Sequence, residues 1–512
     1  MNCLKLTITL LFASTMSLFA QDSNILWQKT YYETSNYERL EEILQTSDMG
    51  YMMGGNKILY SGGPNYNMRI TKLDAQGQID WENLYGDLEF LKDIKQTSDQ
   101  GYIFGGYKVI NENYITSYRV YKVNETGATL WNKTIGGERW DELSSIEQTN
   151  DGGYILGGYS YSNISGDKTE DSRGESDYWI IKLDAAGNME WQKTIGGSQF
   201  DLLKKIAQTS DNGYIVAGTS DSPISGEKTE NTRGGIDYWI LKLDSMGNIQ
   251  WQKTLGGNSD DRLADMIVTS EGGYLLTGSS KSNISGEKSE NSEGSNDYWI
   301  VKLNSIGDIE WQNTIGGADE DIAASIKQTL DNGYLIGGHS KSDISGKKTE
   351  SSQGGEDYWI VKLNTNGSIA WQNTIGGDKP DILSSVCENT DGSIILGGSS
   401  NSGISGDKNV GQSSITESYW IINHAATLDI QDLTTQSKIT IFPNPVQSLL
   451  TIETSGDLIE MAEIYDINGR LISEFKNIEN HSSIDLSRLK SGIYFIKFAN
   501  SAQTIMKKII KD

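Results

Sequence analysis

Only two cysteines, three histidines and five prolines occur among the 512 residues. Cys3 lies in the leader described below, so Cys387 has no partner and the mature chain forms no internal disulfide. Cys387 reads as a small apolar residue within a strand. The scattered histidines make no zinc cluster, and there is neither a Gly-Lys-Ser/Thr phosphate loop nor a Gly-x-Ser-x-Gly nucleophile elbow. Beyond the leader no apolar run approaches the ~18 residues that a bilayer span needs. Positive charge is short as well: 43 Lys and Arg stand against 69 Asp and Glu, a net charge of −26. Residues 438–512 hold nine of each sign, so the excess lies in the segment before them. Such a surface repels a phosphate backbone, which argues against nucleic acid as a partner. It attracts cations, or simply keeps an extracellular protein soluble.

What is abundant is glycine, tyrosine and tryptophan, with 56, 25 and 13 residues. That mixture suits strands joined by tight turns better than helices. The length exceeds one ordinary core and predicts two or more units. Residues 1–20 are of another kind: Lys5, an apolar run Leu6–Phe12 and a small-residue exit Ser17–Ala20. This reads as a secretory signal peptide cut near Ala20–Gln21. Cys3 precedes the apolar run, so it does not fit a lipoprotein cysteine. The mature protein is expected to be exported, soluble and monomeric.

A tryptophan-centred segment recurs at Trp27, Trp81, Trp131, Trp191, Trp251, Trp311 and Trp371, with spacings of 54, 50 and then 60 residues. A fixed period of this size marks a solenoid, propeller or array. One period, taken at its fourth copy, holds four alternating apolar runs: Leu202–Thr209, Tyr214–Ser220, Asp237–Asp244 and Asn248–Leu255. Gly, Asn, Asp and Ser punctuate them, the signature of antiparallel hairpins. Four such strands, repeated, make a propeller blade. The last copy stops at Asn423 without its fourth strand, whereas the mature chain begins with an orphan copy of it, Asn24–Thr30. The prediction is an all-β chain: a seven-bladed β-propeller over residues 21–423, closed by its N-terminal strand, which leaves no sheet edge open. The Leu202–Thr209 strand then lines the channel. Twelve of the thirteen tryptophans fall at two repeated positions, where packing between blades outweighs ligand stacking as their role.

Loops between the second and third strands share one face with the inter-blade loops. Those of copies three to six are long, as in Ser222–Gly235, and this face is the expected working surface. Its Lys-Thr/Ser-Glu pieces, such as Lys228 to Glu230, read as surface pairs of little energetic weight. Each inter-blade loop ends in a carboxylate: Glu38, Glu89, Asp141, Asp201, Asp261, Asp321 or Asp381. Together they could ring the channel mouth and offer oxygens to Ca²⁺. Alternatively each accepts backbone N–H bonds in its own turn. An active site needs residues that differ between copies, and the outliers are Arg139, Trp140 and His339. Trp140, beside Arg139, suits stacking on a sugar ring. His339 reads as a solvated or hydrogen-bonded side chain.

The first hairpin, Thr209–Gly213, resembles the opening of the Asp-box of sialidases, with Val216 where that box carries Trp. The turn Asp244–Trp251 resembles the tryptophan motif of quinoprotein dehydrogenases with its glycine displaced. Neither implies an activity here. After a linker, residues 424–437, the segment 438–512 shows six strands and a hairpin turn at Asn468–Gly469, a compact Ig-like β-sandwich. Phe442-Pro443-Asn444-Pro445, Tyr465 to Arg470, Asp485-Leu486-Ser487 and Leu489 to Tyr494, with Gly492, resemble the type IX secretion C-terminal sorting domain of Bacteroidota. The basic tail Lys507, Lys508 and Lys511 fits the same pattern. The resemblance implies Sec export to the periplasm, recognition by the outer-membrane type IX machinery, and release or surface attachment with removal of the domain. The 60-residue repeats resemble Bacteroidota secreted tandem-repeat proteins carrying this Por secretion tail.

The function expected is a secreted or cell-surface binding and adhesion scaffold, with extracellular glycan as its candidate partner. No catalytic residue and no organic cofactor is assigned. One rival is a polysaccharide-active propeller enzyme in the style of endoglucanases or sialidases, which needs two non-repeated carboxylates facing each other in a cleft. The other is a ligand-free surface spacer.

Overall fold

The structure, a computed structural model, describes residues 24–32, 37–59, 65–110, 115–411, 417–425, 439–454, 459–466, 471–478, 482–499 and 504–511. The expected signal peptide, most of the expected linker and the Asn468–Gly469 turn lie outside these. The chain divides into two compact units, Met1–Ala426 and Thr427–Asp512. Strands are the only regular elements among the described residues.

The first unit consists of seven four-stranded antiparallel sheets. Six take their strands in simple order, as in Asp201–Gln208, Tyr214–Ser220, Asp237–Leu243 and Ile249–Leu255. The seventh combines Asp381–Glu388, Ile394–Ser400 and Ser418–His424 with Ile25–Tyr31 from the start of the chain. In that pairing Thr30 faces Trp420 and Gln28 faces Ile422. His424, read from the sequence as the first linker residue, is the last residue of its strand, and Ala425 N donates to Asn24 O. Apolar clusters join each sheet to the next, and one of them joins the last sheet to the first through Tyr31, Leu40, Ile43, Ile395, Tyr419 and Ile421. The sheets therefore follow one another in a cycle around a channel, as in a β-propeller.

Two aromatic devices hold the seams. Trp179, Trp239, Trp299, Trp359 and Trp420 are fully buried. The tyrosine before each reaches into the following sheet: Tyr178, Tyr238, Tyr298 and Tyr358 donate to the carbonyls of Trp239, Trp299, Trp359 and Trp420 at 3.0–3.3 Å. A glycine of the receiving sheet leaves room for the hydroxyl, and a Cβ at Gly218 would stand 2.6 Å from the Tyr178 oxygen. The outer-strand tryptophans pack on the glycine turn of the next sheet, as Trp191 does at Gly247, and lie edge-on to its tyrosine, Tyr214, at 5.8 Å.

The second unit is a sandwich of two sheets: Ile439–Phe442, Leu449–Thr454 and Ser482–Asp485 against Ile459–Asp466, Leu471–Ile478, Gly492–Ala499 and Thr504–Lys511. Leu450, Ile452 and Ile484 meet Ala462, Ile464, Ile496, Phe498 and Ile509 in its core. The strand Ser482–Asp485 has no counterpart among the six read from sequence.

Gln28 binds the first strand to the last sheet. Its amide accepts from Trp420 Nε1 at 3.0 Å and Asn409 N at 3.2 Å and donates to Asp407 O at 2.7 Å. Replacing Gln28 by Ala removes the acceptor of the buried Trp420 indole N–H and is expected to cost about 1–3 kcal/mol, read as a lower thermal midpoint of the mature protein. A midpoint equal to wild type contradicts this role.

Candidate functional site

The inter-blade carboxylates do not surround the channel. Asp141, Asp201, Asp261, Asp321 and Asp381 are wholly buried in the seams. Each accepts the N–H of the glycine four residues earlier, at 2.6–2.7 Å. Each also takes a serine hydroxyl, from Ser162, Ser222, Ser282, Ser342 or Ser402, at 2.8–3.1 Å. Glu38 and Glu89 are equally buried. The channel-mouth ring expected from their spacing is thus not formed, because hydrogen bonds turn each group into its own loop. Among the described residues no group of three or more His, Cys, Asp or Glu is placed to hold a metal ion.

The Lys-Thr/Ser-Glu pieces are not surface pairs either. Lys168, Lys228, Lys288, Lys348 and Lys408 are buried, with the ammonium 4.9–5.7 Å from the ring centre of the seam tryptophan. Lys228 Nζ donates to Thr254 Oγ1 at 2.8 Å, and Glu230 accepts Thr254 N at 2.9 Å. Desolvation lowers these five lysines to about 8. The first two sheets lack the long loop and its lysine. They carry arginine in place of the seam tryptophan: Arg69 pairs with Glu38 at 2.5 Å and Arg119 with Glu89 at 3.0 Å. A buried carboxylate requires a cation, and either solution provides one.

The channel is where the copies disagree. Every channel strand has a β-bulge after its third residue, or its fourth in the first sheet, as between Leu203 and Lys205. The extra residue breaks the two-residue alternation, so the consecutive pairs Glu41-Glu42, Lys92-Asp93, Lys204-Lys205 and Ala264-Asp265 all line one cavity of about 320 Å³. Its deeper half carries an ion-pair network that reaches Lys95 outside the lining, while Lys327, on the lining, has no ion-pair partner among the described residues. Lys95 pairs with Glu42 at 3.1 Å and with Asp93, and Lys205 lies 3.6 Å from Asp265 and 4.0 Å from Asp93. Burial raises Glu42, whereas the two lysines outweigh burial at Asp93 and lower it.

The half nearer the loops holds charges of both signs beyond ion-pair distance: Glu41 and Glu142 act on Lys204, and Arg39 on Glu417. Arg39, Lys92 and Lys204 project into it, and none has an ion-pair partner among the described residues. Burial, followed by the charge of Lys92, lowers Lys204. Glu41 accepts from Asn56 Nδ2 at 2.8 Å, and Glu142 accepts from the Tyr159 hydroxyl at 2.6 Å. His339 lines the same cavity with Nδ1 buried and unbonded, and burial lowers its pKa. At that nitrogen it makes no hydrogen bond to the described residues.

Beside this mouth lies an aromatic patch confined to the first four sheets. Trp140 is 47% exposed and Phe200 41%. Both flank Tyr161, at 5.4 and 6.3 Å between ring centres, and Arg139 lies 6.0 Å over the Tyr161 ring. Phe90 stacks on Tyr107 at 4.8 Å and touches Tyr66 at 4.5 Å. The equivalents of Trp140 in later sheets are Asp260, Glu320 and Pro380. The sequence singled out Arg139 and Trp140 but missed Tyr161, which differs between copies (Asp221, Lys281, Lys341) in the same way.

In the second unit, the Pro443-Asn444-Pro445 run docks on the last strand. Asn444 Oδ1 accepts Ile510 N at 2.7 Å, and Val446 N donates to Ile510 O at 2.8 Å. Tyr494 packs on the core and donates to Lys490 O at 3.0 Å. Gly492 opens a strand, and Lys507 and Lys508 pair in register with Ile496 and Phe495. Gly469 lies outside the described residues.

Residues 440–512 match the family described as the secretion system C-terminal sorting domain. A tail of this kind marks a chain for the type IX system, to the cell surface or beyond. The regulatory protein FlaEY of Caulobacter vibrioides is 24% identical over 231 residues, 43% of this chain. The chain spans about a quarter of that curated relative, 24% of its length. Among solved structures, a streptogramin B lyase aligns with a TM-score of 0.43 and 11% identity, over 78% of this chain and 98% of its own. PorZ of Porphyromonas gingivalis, a surface component of the type IX secretion system, aligns at 0.33 and 9%, over 92% of this chain and 81% of its own. At these identities neither structure bears on an activity here.

The seam carboxylates make stability depend on pH. Burial pushes Asp237 and Asp357 up to about 7, and Asp201, Asp297 and Asp381 to about 6, against an ordinary 3.8. Asp237 is faced by Asp261, Lys228 and Arg233. Between these values the folded chain binds more protons than the unfolded one, so stability falls as pH rises from about 4 to 7. His339, lowered by burial, acts in the opposite sense as a single group. Below pH 4 the trend reverses, because turn carboxylates such as Asp211 and Asp331 are held near 2 by their lysines and turns. The thermal midpoint is expected to be higher at pH 5 than at pH 7.5, with a smaller gap in Asp237→Asn. An unchanged gap in that variant contradicts the assignment.

Proposed function

We propose that the mature protein is a cell-surface or secreted binding scaffold whose loop face engages extracellular glycan. The C-terminal unit delivers it to the type IX machinery and is then removed. One observation carries the binding reading: the exposed cluster of Trp140, Tyr161 and Phe200 occurs once, Phe200 being the equivalent of Trp140 in the next copy. The last three copies are polar or proline at these positions, with Asp260, Glu320 and Pro380 for the first and Lys281, Lys341 and Asn401 for Tyr161. Repeated aromatics are consumed by the seams, whereas these have no partner sheet to fill. Flat apolar rings edged by Arg139 suit the faces and hydroxyls of sugar rings.

A hydrolase is favoured by one feature, the neighbouring carboxylates Glu42 and Asp93, which stand at equivalent positions of the first two channel strands. However, Lys95 stands between them, in the space that a glycosidic bond and water need. Each carboxylate also accepts a backbone N–H, from Ile94 at 3.3 Å and Ile146 at 2.8 Å. The binding reading fits this filled gap better.

A glycan array probed with the mature protein, with and without Ca²⁺, is the test. Binding to a restricted set of glycans is expected, weakened at least about tenfold in Trp140→Ala. Dependence on Ca²⁺ would add a metal to the site. Silence in both conditions overturns the reading and leaves a ligand-free spacer, and full binding by Trp140→Ala moves the site elsewhere.

A further inference from the structure

The rim of the loop face sets how much glycan is engaged, an inference that rests on the glycan reading above. In six successive sheets one backbone bond ties the residue before the channel strand to the end of the second strand. Val109 N donates to Leu88 O at 2.9 Å, Tyr161 N to Trp140 O at 2.8 Å and Asp221 N to Phe200 O at 3.2 Å. The same bond joins Lys281 to Asp260, Lys341 to Glu320 and Asn401 to Pro380 at 2.9–3.0 Å. These positions are therefore equivalent, and their side chains compare directly from sheet to sheet. Taken in order around the rim, Leu88, Val109, Trp140, Tyr161 and Phe200 are all apolar or aromatic. From Asp221 onward every one is polar, charged or proline. Leu88, Trp140 and Phe200, one from each of three consecutive sheets, are exposed. Leu88 holds its place at φ 57°, a region that suits glycine or asparagine better, so an apolar side chain stands there against local preference.

Neighbouring sheets pack about 10 Å apart, so the three exposed residues mark a track of roughly 20 Å. Tyr161 fills the step between Trp140 and Phe200, its ring centre 5.4 and 6.3 Å from theirs. Val109 is its equivalent one sheet earlier, between Leu88 and Trp140. The track stops at the fifth sheet, where Asp260 pairs with Arg262 at 3.0 Å, and in the sixth Glu320 pairs with Lys341 at 2.7 Å. It is also narrow. Asp87, Arg139 and Gln199 precede its exposed members and are exposed themselves. Glu142, on the channel strand, accepts the Tyr159 hydroxyl at 2.6 Å and keeps lone pairs for other donors. A lipid or an apolar peptide face laid here would meet these polar groups along its edges. A chain of sugar rings suits them, because each ring frames an apolar C–H face with hydroxyls. One terminal sugar covers a single step and leaves the other apolar positions in water. We infer that the rim of the second to fourth sheets is a track for an internal run of a linear polysaccharide whose rings carry their substituents equatorially. Trp140 is its central platform, and Leu88 and Phe200 are its end contacts.

The experiment is calorimetric titration of the mature protein with cellobiose and with cellohexaose, flat β-linked chains that differ only in length. The hexamer is expected to bind at least about tenfold more tightly than the dimer. A longer chain also offers more registers to a short site, and that share of the gain is the same in every variant. The double variant Leu88→Ala, Phe200→Ala is expected to lose the remaining gain while leaving cellobiose binding and the thermal midpoint unchanged. Equal affinity for the two oligomers, or the whole gain retained by the double variant, overturns the track and leaves the glycan reading intact. Failure of both oligomers while the array shows other glycans bound overturns the equatorial class and likewise leaves that reading standing. A silent array, with neither oligomer bound, overturns both.

Discussion

The hydrogen bond from a seam tyrosine to the backbone carbonyl of the next sheet's tryptophan is the contact on which the first unit depends. In the third to sixth sheets it asks three things: a tyrosine and a tryptophan side by side, and in the next sheet a glycine where the hydroxyl arrives. A burial-driven contact between sheets tolerates sliding. A phenol bonded to one carbonyl through a gap of glycine size does not. The lysine over the tryptophan ring, the carboxylates on either side and the glutamine that clamps the indole N–H are arranged around the same pair. Where the first two sheets replace that tryptophan with Arg69 and Arg119, the neighbouring aspartate becomes Glu38 or Glu89 and the lysine-bearing loop shortens. These changes occur together because they belong to one buried charge balance.

This reading divides the residues by what their repetition is for. Residues copied in every period are consumed by seams and turns, including the acidic ones whose regular spacing first suggested a ring of ligands. Residues that differ between copies collect at the channel and its loop-side mouth, where no seam constrains them. Export through the C-terminal tail places that mouth outside the cell, where polymers with sugar rings are the surfaces available.

Much of the architecture was legible in the sequence. Alternation and glycine punctuation gave the strands of the fourth copy to within a residue or so, and the orphan Asn24–Thr30 segment pointed to its partner strand. The tail was legible because its motifs lie in order along one short module. Ser482–Asp485 was missed because four residues with a single apolar side chain, Ile484, carry no alternation. The lysines at Lys228 and its equivalents were read as exposed because burial of an ammonium over an indole leaves no mark in local pattern. The channel charges were missed for a different reason. Strict alternation sends Lys204 and Lys205 to opposite faces, and only the bulge after Leu203 turns both toward the lumen. Tyr161 escaped notice because its neighbours Trp140 and Phe200 come from other loops.

The central claim is that binding belongs to the positions where the copies differ. Hydrogen–deuterium exchange of the mature protein, with and without a glycan selected on the array, tests it most directly. The account predicts protection confined to the starts of the first four channel strands and to residues 139–142 and 159–161. Equal protection in the lysine-bearing loops of every repeat, protection at the hairpins of the opposite face, or none at all would contradict it.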